Sequence, residues 1–136
     1  METDDSERLL NEIGNLLAED VDYPLDRTLL YSEVASGTVE SSIFKETGNS
    51  IIYRFSDRLW DVLLELWNAQ LSDPPWVAIE YFIRGDRFEV KYTYPDDPDW
   101  EGECDLDYRA KVVARYFGDK PIIYPPMPTG DETFTL

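Results

Sequence analysis

Leu9, Leu10, Ile13, Leu16 and Leu17 recur at intervals of three and four, which gathers them into one stripe and predicts a helix over residues 4–19. Asp4 and Asp5 stand at its start, where unpaired N–H groups favour carboxylates. Asp22-Tyr23-Pro24 ends it, because proline has no N–H and disfavours helix in the residue before it. From Arg27 to Val34 and from Thr38 to Lys45 the chain is rich in β-branched and aromatic residues, and Ala35-Ser36-Gly37 joins the two runs as a hairpin. Thr47-Gly48-Asn49 reads as a turn into a third strand, Ser50 to Phe55. Ser56 and Asp57 then cap a second helix, in which Leu59, Trp60, Leu63, Leu64, Trp67 and Leu71 keep helical spacing down to Pro74-Pro75. Trp60 and Trp67 lie two turns apart on one face, and both are expected in the core.

Trp76 to Ile83 and Arg87 to Tyr94 form a second hairpin around Arg84-Gly85-Asp86. In the latter run Phe88, Val90, Tyr92 and Tyr94 alternate with Arg87, Glu89, Lys91 and Thr93, so one face is buried. Arg84-Gly85-Asp86 matches an integrin-binding string, but Gly followed by Asp is ordinary turn chemistry and is read as such. Leu106, Arg109, Ala110, Val113 and Phe117 predict a third helix over 105–117, with Gly118 as its left-handed stop. The elements follow the order αβββαββα, an α+β domain with helices packed on an antiparallel sheet of about five strands. Residues 1–118 make a single domain, and 119–136 form a proline-rich tail with Ile122, Ile123 and Tyr124 as its dockable part.

The chain's 136 residues, 43% of them hydrophobic, suit one core rather than two and argue against wholesale disorder. No apolar run approaches the ~20 residues of a membrane span, and the acidic start lacks a signal peptide's basic region, so a soluble, cytoplasmic protein is expected. A formal charge of -17 repels nucleic acid and anionic membranes and favours a basic partner. That charge is local. Residues 1–22 hold eight carboxylates against Arg8, and residues 95–107 hold seven with no cation at all.

Composition also limits chemistry. There is no histidine, which removes the usual general base and metal ligand. The single cysteine, Cys104, has no internal disulfide partner and no neighbouring base to activate it. No Gly-x-Ser-x-Gly elbow, Walker loop or Gly-x-Gly-x-x-Gly motif occurs. A glycosidase-like acid and base pair remains formally open, yet nothing selects two of 29 carboxylates for it. Asp96-Asp97-Pro98-Asp99 with Glu101 and Glu103 offers oxygen ligands for calcium but fails the EF-hand spacing, with Pro98 interrupting and Gly102 too late. The expectation is no cofactor, no metal and no enzymatic activity.

The acidic segment can instead be a solvated loop or a protein-docking surface. Trp100 stands among its seven carboxylates, the composition of an interface anchor, although it could equally fold back onto the sheet. The candidate partner-binding residues are Asp96, Asp97, Asp99, Trp100, Glu101, Glu103 and Asp105, with Asp4 and Asp5 as a second, weaker patch.

The order of motifs resembles the YezG-like immunity protein family of antitoxins. Tyr31-Ser32-Glu33-Val34 matches that family's Tyr-x-Glu-Val strand after an N-terminal helix. The run from Trp76 through Gly85 to Phe88, Tyr92, Tyr94 and Asp96 matches its Trp-led hairpin, and Arg109 matches an arginine of the following helix. The likeness spans residues 5–118. It departs at Val112-Val113-Ala114-Arg115-Tyr116-Phe117, where the family often carries Trp and a basic ending, and the proline-rich tail has no counterpart. The resemblance implies an antitoxin that binds the toxic domain of a secreted bacterial effector, commonly a DNase. Charge leads to the same expectation, since a nuclease groove is basic and a polyanionic domain can occupy it. The competing expectations are an acidic adaptor unrelated to toxins and a carboxylate hydrolase.

Overall fold

Strand β1 (Thr28–Ala35) carries buried side chains on both its faces, and the rest of the fold is arranged about it. The structure, a computed structural model, describes residues 2–35, 37–70, 73–98, 100 and 106–124. Helix α1 (Glu2–Leu17) precedes β1, and the chain continues through β2 (Thr38–Thr47) and β3 (Ser50–Arg54). A 3₁₀ turn (Asp57–Leu59) then leads into α2 (Trp60–Ala69), followed by β4 (Ala78–Arg84), β5 (Arg87–Thr93), α3 (Leu106–Phe117) and β6 (Ile122–Ile123). In space the strands run β5-β4-β1-β2-β3-β6. Leu30 faces Ile43 of β2 and Tyr81 of β4, both antiparallel.

The α+β class and element order agree with the sequence reading. The sheet, however, gains a sixth strand from the proline-rich tail, and β6 pairs parallel with β3, Ile51 opposite Ile122, so the sheet is mixed. Tail and sheet are therefore continuous as far as Tyr124.

Strand alternation sorts the side chains to two sides. Leu30, Val34, Ile43, Ile79, Tyr81 and Ile83 pack toward α1 and α2, while Leu29, Tyr31, Phe44, Ile51, Ala78 and Phe82 pack toward α3. Helices on both faces explain why β1 and β4 are buried almost without interruption. Close approach of α1 depends on Gly14: the Tyr81 hydroxyl donates to the Leu10 carbonyl at 2.7 Å, and a Cβ at Gly14 would lie 2.8 Å from that hydroxyl.

One core assignment needs correction. Trp76 is buried, and the Trp67 indole N–H donates to the Trp76 carbonyl at 2.8 Å, but Trp60 is 44% exposed. Ser56 accepts from the Arg58 N–H at 3.2 Å and begins the 3₁₀ turn, which makes Trp60 the first residue of α2. Helical spacing correctly puts Trp60 on the same side as Trp67, yet at that end of the helix the side lies over an open cleft. Arg84-Gly85-Asp86 is a hairpin turn: Gly85 has φ of 65° and donates its N–H to Asp26.

Candidate functional site

After β5 the chain bends sharply. The Tyr94 N–H donates to the Asp97 carboxylate at 3.0 Å, the Asp97 N–H to the Tyr94 carbonyl at 3.0 Å, and the Trp100 N–H to the Asp97 carbonyl at 3.0 Å. Asp97 thus shapes the turn with the side chain that the sequence offered to a partner, whereas Asp96 is exposed beside it. Trp100 is half-buried, set edge-on to Tyr108 with ring centroids 5.5 Å apart, and Tyr108 shares a 2.9 Å hydrogen bond with Thr93. Asp99, Glu101, Glu103, Cys104 and Asp105 lie outside the described residues. Asp4 and Asp5 fall in the first turns of α1, their side chains outside the described part. The start of α1, around Ser6 and Glu7, flanks Phe88 near the beginning of β5, while the bend follows the end of that strand.

A second surface escaped the sequence reading. At the corner between β3 and α2 lies a cleft of about 400 Å³, lined by Val39, Ser42, Tyr53, Phe55, Trp60 and Arg109. A neighbouring cleft of about 300 Å³, with Leu17, Val21, Lys45 and Arg54 in its walls, shares Phe55. Val21 is 88% and Phe55 72% exposed, so with Trp60 they form an apolar strip over the two clefts. Tyr124 extends it, its ring 5.1 Å from that of Tyr53. Phe55 continues the apolar pattern of β3 and Trp60 that of α2, so both look like core in one dimension. The available signal was that Phe55 follows Arg54, the last residue of β3 paired to β2.

The cations of this corner are compensated or turned inward. Arg54 donates to Asp20 at 2.7 and 3.0 Å and to Asp22 at 3.0 Å. Burial alone would raise the Asp20 carboxyl, but hydrogen bonds from Arg54 and the Asp22 N–H outweigh it and hold it below the ordinary aspartate value. Arg58 reaches Glu19 at 3.1 Å. Arg109 donates to Ser42 at 3.0 Å and lies over the Phe44 and Tyr53 rings. Lys45 is buried, donating to the Pro24 carbonyl and the Thr28 hydroxyl, and burial pushes its ammonium below the ordinary lysine value. Glu40 and Asp57 stand exposed at the rim.

Polar groups also knit α3 to the sheet. Glu80 is fully buried and accepts from Arg115 at 3.0 Å and from the Tyr116 hydroxyl at 2.8 Å. Tyr31 donates to Glu33 at 2.9 Å, and burial together with that carboxylate pushes the Tyr31 hydroxyl far up, so it stays a donor. Arg27, in the left-handed region at φ 66°, pairs with Glu46 at 2.6 Å and lies over Phe82 and Phe117; Lys120 pairs with the same Glu46. These contacts are well suited to fixing the position of α3 and β6.

No protein-family model matches the chain, and no curated protein matches it. Among the described residues, no helix is long and apolar enough to cross a membrane. No cluster of His, Cys, Asp or Glu among them could hold a metal ion.

Proposed function

We propose that this chain is an immunity protein: a cytoplasmic antitoxin that captures a basic toxin domain, a nuclease by class, and neutralises it by electrostatic and steric occlusion without performing a reaction. The observation that carries the reading is the distribution of charge. The chain carries 29 carboxylates against twelve cations, and seven of those carboxylates fall within residues 95–107, which hold no cation. A surface of that sign accelerates encounter with a lysine- and arginine-lined groove and repels nucleic acid. The YezG-like order of motifs supports the same reading.

The test is coexpression with the toxin domain encoded beside the gene, followed by binding kinetics on the purified pair. Asp97 holds a turn, so the informative variant reverses Asp96, Asp99, Glu101 and Glu103 to Lys and leaves that hydrogen bond in place. Its association rate should fall at least about tenfold at low salt, with a flatter salt dependence. A rate equal to that of the unmodified chain would remove this segment from the interface, and absence of rescue would remove the antitoxin reading altogether.

A further inference from the structure

We infer that the strip from Val21 over Phe55 to Trp60 is the anchoring face of this protein, and that its occupant is a protruding cationic segment of the partner with apolar side chains set between its lysines or arginines. In naming the partner's contact chemistry, this rests on the toxin-binding reading.

Three large apolar side chains, 88%, 72% and 44% exposed, flank two adjoining concavities that share one wall. Isolated apolar residues on a surface are ordinary, but a contiguous patch around a cleft is characteristic of a protein-binding face. The clefts, of about 400 and 300 Å³, have room for a few side chains each, which suits a protruding segment rather than a flat surface. Phe55 and Trp60 are also held in place by the fold: one follows β3 directly, the other opens α2, and the Ser56 cap lies between them. Rigid aromatic anchors lose little entropy on binding.

Charge then selects the occupant. Arg54 and Arg58 are matched by Asp20, Asp22 and Glu19, Lys45 is buried, and Arg109 is engaged by Ser42 and two aromatic rings. The linings of the two clefts hold five carboxylates, Glu19, Asp20, Asp22, Glu40 and Asp57, against the three cations Lys45, Arg54 and Arg109, and the faces of Trp60 and Phe55 attract an ammonium or guanidinium. Two other occupants carry the wrong charge. A second copy brings another net charge of -17, and residues 125–136 contain Asp131 and Glu132 with no cation.

The experiment uses the full chain and a short soluble peptide of lysines interspersed with two leucines, with a glutamate-leucine peptide of equal length as control. By calorimetry at low salt, the lysine-leucine peptide should bind and its counterpart should not. The Phe55→Ser/Trp60→Ala double variant, its urea midpoint unchanged, should weaken that binding at least tenfold. Against the cognate toxin domain it should speed dissociation at least tenfold and leave association nearly intact, the reverse of the acidic-segment variant. Wild-type binding of both probes by the double variant would overturn the inference, as would failure of the unmodified chain to bind the peptide. So would a tenfold gain in peptide affinity on removal of residues 125–136, which would make the tail the occupant, or a dimer abolished by Trp60→Ala, which would make it a second copy. Peptide held through Trp60 without toxin rescue would leave the anchoring face standing and remove the antitoxin reading alone.

Discussion

The two faces of the sheet are closed by different chemistry. Beneath α1 and α2, Leu9, Ile13, Leu63 and Leu66 pack against Leu30, Ile43 and Ile79, and among the described residues the buried polar groups on that face, Thr28, Ser32 and Lys45, include no carboxylate. Beneath α3, Glu33, Glu80 and Thr93 are interleaved with Leu29, Phe44 and Phe82, and hydrogen bonds link them to Tyr31, Tyr108, Tyr116 and Arg115. A pair of helices buries enough apolar surface to hold itself by a force that has no direction. A single helix of twelve residues buries less, and directional bonds to buried carboxylates fix where it sits. Buried carboxylates thus help to hold the single helix, whereas the paired helices rest mainly on apolar burial.

The sharpest way to break this contrast is to damage each face separately. Leu63→Ala, on the apolar side, should cost about 3 kcal/mol in a urea melt, the loss typical of a fully buried leucine. Glu80→Ala should cost about 2 kcal/mol, because Tyr116 and Arg115 lose their acceptor, although Arg115 is partly exposed and water can replace its share. Glu80→Gln should cost less, since the amide oxygen can still accept from Tyr116. If Glu80→Ala costs no more than an ordinary surface change, α3 is held by its apolar contacts and the contrast fails.

Smaller effects refine the comparison. Gly14→Ala would ordinarily favour a helix, but here the Tyr81 hydroxyl occupies the space, and a net loss of about 1 kcal/mol is expected. In a Tyr81→Phe background the same substitution should become neutral or stabilising, and persistence of the loss would show that contact with the hydroxyl is not its cause. Hydrogen bonds from Arg27 and Lys120 hold the Glu46 carboxyl below its ordinary value. Its contribution is therefore fully present above the unfolded glutamate pKa of ~4.3 and is lost as pH falls through the lower folded value. That contribution, below about 1 kcal/mol for a partly exposed cluster, should vanish from the acid limb of a stability titration in Glu46→Gln. Smallest of all, Trp60→Ala should leave the urea midpoint within roughly 0.5 kcal/mol, as expected for a side chain outside the core.

Much of the fold could be read locally. The stripe from Leu9 to Leu17, the turns at Gly37, Gly48 and Gly85, and the alternation from Arg87 to Thr93 each place an element within a residue or two of its observed bounds. The candidate site was legible only as charge. Asp96, Asp97 and Trp100 do gather around one bend, but nothing in their spacing showed that Asp97 would close a turn or that Trp100 would pack on Tyr108.

Sequence alone determined the periods, the breaks and the excess of acid, because these depend on residues a few positions apart. Tertiary structure decided that Ile122 pairs beside Ile51, that α3 takes the face opposite α1 and α2, and that Phe55 and Trp60 overlook clefts. Hydrophobic period specifies which side chains share a side of an element. Whether that side is covered depends on partners distant in sequence.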